Sequence, residues 1–324
     1  MNNFEHVNAR SITSAVNLLN QDGFALPISG GTDLLGQMKL GIIKPDRLVN
    51  LKAIAELNTI TPTANGLDIG ALATLDAIAN HPVVREQYPV LFKAIEVTAS
   101  PQLRNMGTIA GNLAQGSRCW YYRGRFKCWL KMGDECFAHD GEHSHHAIFG
   151  GGPCHTVSPS DPAPALVALG AEVSMVGLRG KRTMPVEDFF QLPKEASRQL
   201  TVLEQDEIIT GIHIPEPDRG SKGTYLKAME RKVWSFALAS VALQLNLEDN
   251  LVKNARIVLG GVAPKPWRLP QVEELLFNQP LSREIINNAA ELAVAGAQPL
   301  SRNKYKIALV KGIVNEALSS INNV

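Results

Sequence analysis

The 324-residue chain carries 32 basic and 31 acidic side chains for a net charge of +1, with 45% hydrophobic and 6% aromatic residues. This balance argues against a nucleic-acid groove or an anionic membrane surface as the main partner, because neither would meet a one-sided field, and so few aromatics make no base-stacking platform. The length suits two or three domains with well-filled cores.

In chain order, residues 11–19 read as a capped amphipathic helix with Ile12, Ala15, Val16 and Leu19 on one face. A short buried strand over 24–28 runs into Ser29-Gly30-Gly31-Thr32-Asp33, followed by a helix over 34–40 and a strand over 47–51. The dipeptide Asn65-Gly66 predicts a hairpin of 57–61 with 67–69 on a two-residue primed turn, and 74–79 predicts a helix. A second glycine-rich passage, Gly107-Thr108-Ile109-Ala110-Gly111-Asn112, precedes the cysteines. Ser158-Pro159-Ser160-Asp161-Pro162 then leads into a helix over 163–169 and a strand over 172–176. Residues 216–223 are polar and turn-rich, the best linker in the chain. Beyond them the pattern predicts strands over 224–229, 237–247 and 255–262 with a helix among them, then helices over 284–295 and 306–318. The fold class is α+β, without regular βαβ alternation.

All four cysteines, Cys119, Cys128, Cys136 and Cys154, fall in one 36-residue window with spacing C-x8-C-x7-C-x17-C. Four thiolates are a full ligand set for structural zinc or for an iron–sulfur cluster. The C-x2-C knuckle usual in zinc ribbons is missing, and wide spacing suits a loop that wraps a larger object. Five of the eight histidines, His139, His143, His145, His146 and His155, share the window. Their simplest reading is a solvated, flexible loop, with mixed ligation kept open. Arg123, Arg125, Lys127 and Lys131 are either charge compensation for a thiolate cluster or plain surface charge.

A glycine loop between strand and helix can turn its backbone N–H groups toward a diphosphate, and both loops are expected to do so from separate directions. Tight turns are the alternative for each. No G-x-G-x-x-G, no phosphate-loop motif, no G-x-S-x-G and no H-E-x-x-H is present. Asp161 is either an acceptor for ribose hydroxyls or the N-cap of the helix that follows. Lys227 and Arg231 either approach a bound anion or planar ring, or are surface charge.

In their order and spacing, Ile28-Ser29-Gly30-Gly31-Thr32-Asp33-Leu34-Leu35, Arg104-Asn105-Met106-Gly107-Thr108-Ile109-Ala110-Gly111-Asn112, Ser158-Pro159-Ser160-Asp161 and the stretch from Gly260-Gly261-Val262 to Trp267-Arg268 resemble the FAD-binding medium subunit of the molybdenum hydroxylases. That is the family of xanthine dehydrogenase and carbon monoxide dehydrogenase, and the likeness covers nearly the whole chain. It implies a vanillyl-alcohol-oxidase-type FAD-binding fold in two subdomains, 1–56 and 57–218, with an insertion at about 117–156. A C-terminal α+β domain with a three-stranded sheet would follow at 222–324. Ser29, Gly30, Gly31, Thr32 and Asp33 would wrap the pyrophosphate, with Pro27, Ile28 and Leu34 beside them. Gly107, Thr108, Gly111 and Asn112 would hold the diphosphate and ribityl region, Ser160 and Asp161 the adenosine ribose, and Lys227 would lie near the flavin.

The cysteine window resembles an insertion found in two branches of that family, aldehyde oxidoreductase FAD subunits and 4-hydroxybenzoyl-CoA reductase β subunits. The aldehyde branch is the nearer, through Arg118-Cys119 followed by Trp120, Tyr121 and Tyr122. It implies one 4Fe–4S cluster on Cys119, Cys128, Cys136 and Cys154. The expected partners are a molybdopterin-binding large subunit and a 2Fe–2S small subunit. The external electron acceptor would be NAD, a ferredoxin, a quinone or oxygen. A stand-alone flavin oxidase and a zinc-stabilised binding module without redox role are the rivals. Met1-Asn2-Asn3-Phe4-Glu5-His6 shows no signal-peptide pattern and no apolar run reaches spanning length, 233–247 coming nearest. No direct membrane insertion is therefore expected, and the expected compartment is the cytoplasm, or the periplasm by export with a signal-bearing partner.

Overall fold

Three sheets follow one another along the chain, and each places one part of the candidate site. The computed structural model describes residues 1–194 and 196–322. Glu195, Asn323 and Val324, which fall in the expected 57–218 and 222–324 units, lie outside the described residues.

The first sheet is parallel, with β1 (Glu5–Asn8), β2 (Ala25–Ile28) and β3 (Arg47–Asn50) in the order β1-β3-β2. Helix Ile12–Leu19 makes the crossover from β1 to β2, started by Ser11, whose Oγ accepts from Ser14 N at 3.1 Å. Its Ala15, Val16 and Leu19 pack with Val49 and Leu51. The first glycine loop therefore leaves the C-terminal end of β2, where parallel sheets open toward ligands.

The second sheet holds β4 (Ile60–Thr63), β5 (Gly66–Gly70), β6 (Glu172–Gly177), β7 (Gly180–Pro185) and β8 (Ile208–Pro215) in the order β4-β5-β8-β6-β7, antiparallel throughout. The expected hairpin forms one residue early. Thr63 pairs with Gly66, so the turn residues are Ala64 and Asn65. Neither has positive φ, so the turn is not of the primed kind.

Between β5 and β6 the chain makes five short helices, Leu75–Asn80, Pro82–Gln87, Pro89–Glu96, Pro101–Met106 and Ile109–Leu113, and then the cysteine segment. Three of these open on Pro82, Pro89 and Pro101, whose fixed φ and missing N–H suit the first helical turn.

The third sheet is antiparallel: β9 (Ser221–Ala228), β10 (Ala239–Glu248), β11 (Leu251–Gly260) and the two-residue edge strand β12 (Trp267–Arg268), in the order β12-β11-β10-β9. Its three long strands are those expected, but no helix lies among them; residues 229–238 form an irregular loop instead. β10 is buried on both faces. Ala242 packs with Tyr225, Leu91 and Leu166 on one side, while Val241, Leu243 and Leu245 meet Ile286, Val314 and Leu318 on the other. Two-sided burial explains why β10 reads as a nearly continuous apolar run. Helices Pro270–Leu276, Arg283–Leu292 and Tyr305–Asn322 cover the outer face. No helix of the described residues is long and apolar enough to cross a membrane.

Candidate functional site

The two glycine loops touch. Ser29 Oγ lies 3.0 Å from Thr108 Oγ1, the N-cap hydroxyl of helix Ile109–Leu113. Gly30 runs so near the second loop that a Cβ there would stand 1.9 Å from the Met106 carbonyl oxygen. Gly31 holds φ +69°, in the left-handed region. The amides of Gly30, Gly31, Thr32 and Asp33 find no acceptor among the described residues, so this turn presents free donors to an anion.

The second loop behaves differently. Gly107 N donates to Leu103 O, Ile109 N to Ala73 O, Ala110 N to Ala71 O, Asn112 N to Thr108 O, and Gly111 N to Thr108 Oγ1. Apart from that of Thr108, its amides are spent inside the chain, so it offers mainly hydroxyl and amide side chains. Of the two amide cradles expected, the first is the fuller. Asn112 links onward, since Ser160 Oγ donates to its Oδ1 at 2.5 Å.

Ser160, not Asp161, caps helix Pro162–Ala168, its Oγ accepting from Ala163 N at 3.1 Å. Asp161 makes no cap bond. Its carboxylate takes Tyr225 OH at 3.0 Å and Lys227 Nζ at 2.8 Å. Tyr225 and Lys227 stand two apart on β9 and so share one face of the sheet, which aims both at Asp161. Lys227 is 1% exposed at its side chain and is no surface charge. Burial pushes the Asp161 carboxyl up, and the Lys227 ammonium opposes that shift. Burial, and then Asp161 beside it, keep the Tyr225 phenol protonated far above its ordinary range. Arg231, in contrast, is exposed and donates to Trp234 O at 2.7 Å.

Cys119, Cys128, Cys136 and Cys154 all line one narrow cavity of about 10 Å³, walled by Tyr121, Trp129, Phe137 and Ala138. Backbone N–H groups point at the sulfurs: those of Tyr121 and Tyr122 at Cys119, of Ala138, His139 and His155 at Cys136, and of Thr156 at Cys154. Amides aimed at sulfur favour the thiolate, the form that ligates metal. Burial pushes the Cys119 thiol up to about 11. The bond to Cys154 brings Cys136 down to about 6 and raises Cys154. Among the described residues no three His, Cys, Asp or Glu side chains stand close enough to share a single metal ion.

The histidines are not a solvated loop. His143 and His146 are each 3% exposed. His143 Nδ1 bonds Ala138 O at 2.9 Å, and its Nε2 accepts from Arg302 N at 2.9 Å, which fixes a neutral tautomer. His146 Nε2 lies 3.1 Å from Cys119 Sγ, and burial lowers the imidazole to about 4. The start of the last helix grips this run from outside. Asn303 Nδ2 donates to His146 O and Ala147 O, Lys306 Nζ to His145 O and Gly261 O, and Tyr305 OH to Ser144 O. His139 is exposed beside Asp140, while His145, beside Glu230, and His155 are half-buried.

Asp33 joins the loop to the chamber. Its carboxylate receives Arg118 Nη2 at 2.9 Å and Arg123 Nη2 at 2.7 Å. Arg123 is therefore committed to Asp33 and to the Ser117 and Gly116 carbonyls, while Lys131 donates to Gly124 O. Reading residue types in isolation missed Tyr225, Asn303, the bond between His146 and Cys119 and the Asp33–Arg123 pair; a buried carboxylate needs a partner, and that requirement was the one signal available for Asp161 and Asp33.

Comparison with known proteins agrees with this geometry. Residues 2–217 match the family described as FAD binding domain in molybdopterin dehydrogenase, and residues 224–321 match the CO dehydrogenase flavoprotein C-terminal domain. The aldehyde oxidoreductase FAD-binding subunit PaoB of Escherichia coli (strain K12) is 34% identical over 296 residues, 90% of each chain. The glyceraldehyde dehydrogenase medium chain of Sulfolobus acidocaldarius is 27% identical over 322 residues, 98% of each. Among solved structures, carbon monoxide dehydrogenase from Hydrogenophaga pseudoflava superposes with a TM-score of 0.78 at 27% identity, covering 98% of this chain and 96% of that one. A free-amide turn packed on a second loop, a buried Asp–Lys pair behind them and these likenesses lead to one assignment: the chain belongs to the family of FAD-binding medium subunits of the molybdenum hydroxylases, which are oxidoreductase subunits.

Proposed function

We propose that this chain is the FAD- and 4Fe–4S-carrying electron-transfer subunit of a heteromeric molybdenum hydroxylase of the aldehyde oxidoreductase type. Its partners would be a molybdopterin-binding large subunit and a 2Fe–2S small subunit, with NAD, a ferredoxin, a quinone or oxygen as external acceptor. Subdomains at 1–56 and 57–218 and a C-terminal unit at 222–324 are part of the same proposal, as is a cytoplasmic setting unless a partner exports the complex. The likeness to PaoB at 34% identity supports the aldehyde branch.

Bound FAD would accept electrons singly and release them as a pair, and a four-iron cluster would hold one at a time. The chain's own residues bind and exclude water. The free amides of Gly30, Gly31, Thr32 and Asp33, between Pro27, Ile28 and Leu34, suit a diphosphate. Ser29, Gly107, Thr108, Gly111 and Asn112 form the facing wall, with Ser160 behind Asn112. Asp161, with lone pairs beyond those taken by Tyr225 and Lys227, keeps capacity for a ribose hydroxyl and holds Lys227 in place.

One observation carries the cluster: four thiols gathered around a single narrow cavity, with backbone amides aimed at three of them. The test is chemical. The purified chain should hold one FAD and four iron with four sulfide, and Cys128→Ser should lose iron while keeping FAD. Zinc in place of iron, or unchanged iron in Cys128→Ser, would defeat the reading.

A further inference from the structure

His146 follows Cys119 by 27 residues, yet its Nε2 is 3.1 Å from the Cys119 Sγ. Among the described residues it is the one side-chain nitrogen bonded to any of the four sulfurs. The other ring nitrogen, Nδ1, is buried without a partner. A neutral imidazole carries one N–H. On Nδ1 that hydrogen would be a buried donor with no acceptor; on Nε2 it points at sulfur and leaves only a bare lone pair. The geometry thus selects an N–H···S bond, whose acceptor is the Cys119 sulfur.

The ring is set by contacts that do not involve the sulfur. His146 N donates to His143 O at 3.0 Å, its carbonyl accepts from Asn303 Nδ2 at 3.2 Å, and the Trp120 ring stands edge-on at 5.1 Å. The donor is therefore in place before any metal arrives.

We propose that His146 is a positioning residue for the iron–sulfur cluster: its Nε2–H donates to the Cys119 sulfur and raises the reduction potential of the cluster bound there. This rests on reading the four cysteines as cluster ligands. A hydrogen bond to ligand sulfur draws off electron density and so favours the reduced, more negative cluster.

The test is an EPR-monitored redox titration of the assembly that contains this chain, comparing wild type with His146→Leu and His146→Gln. Iron and FAD content should match wild type in both. His146→Leu should shift the cluster toward the oxidised form by about tenfold at fixed potential, which is about 59 mV for one electron. His146→Gln, which restores an N–H, should recover most of that shift. A His146→Leu cluster that titrates with wild type overturns the role of His146 alone, and so does a Gln variant shifted as far as Leu. If His146→Leu loses its iron, retention by His146→Gln supports the proposal and loss from both overturns it. A wild-type chain without iron defeats the cluster reading itself, which is a separate outcome.

Discussion

Arg123 reaches Asp33 across 90 residues of chain, its Nη2 standing 2.7 Å from Oδ1. The same oxygen receives Arg118, and Oδ2 receives Gln37 Nε2 and Gly116 N, each at 2.8 Å. One carboxylate thereby ties the free-amide turn to both sides of Cys119. Asp33→Ala leaves two guanidinium groups without a counter-charge, a loss on the order of 3 kcal/mol. Limited proteolysis should then cut residues 117–156 faster than in wild type, and FAD content should fall. Equal cleavage rates would show that the insertion stands without Asp33.

Gly30 and Gly36 form a matched pair of substitutions six residues apart. Gly30→Ala puts a methyl against the Met106 carbonyl and must push the loops apart, whereas a Cβ at Gly36 meets nothing within 4 Å. Gly30→Ala should empty the flavin site by fluorescence of released FAD. Gly36→Ala, inside helix Leu34–Lys39, should keep FAD and gain up to about 1 kcal/mol in urea unfolding.

Lys306 is fully buried, and burial lowers its amine to about 7 from an ordinary 10.5. Between those values the unfolded chain binds the extra proton, so stability rises with pH across that window. Below about 7 the amine is charged in both states and the term is constant. The stability of wild type minus that of Lys306→Met should therefore grow in favour of wild type by about 1 kcal/mol per pH unit above neutrality. Urea titrations at pH 7, 8.5 and 10 measure it, and a flat difference would mean that the amine keeps its proton.

Lys227 and Asp161 are a buried pair at 2.8 Å. Lys227→Met strands a carboxylate and should cost about 3–5 kcal/mol. Adding Asp161→Asn removes the stranded charge while keeping an acceptor for Tyr225, so the double variant should regain much of that loss. A double-mutant cycle in urea gives the coupling, and additive losses would argue against it.

Local signals made part of this structure legible. Glycines at Gly30 and Gly31 mark a turn that only they can make, and the gathering of Cys119, Cys128, Cys136 and Cys154 marks a chamber. Ser11, Thr108 and Ser282 each cap the helix that follows, as hydroxyls at such positions do. The helices over 82–106 were not visible, because Pro82, Pro89 and Pro101 cut the run into short pieces and each proline's place at a helix start shows only in the structure. The Asn65-Gly66 signal named a hairpin but misplaced its register, since Gly66 serves the strand end against Pro215 rather than the turn. The burial of His143 and His146 depends on Asn303 and Arg302, more than 150 residues away, and no local pattern carries such a contact.

Ser117 and Thr156 open and close the cysteine segment, and their hydroxyls meet at 2.5 Å. A stretch whose two ends exit side by side can differ in length between them without moving the chain before Ser117 away from the chain after Thr156.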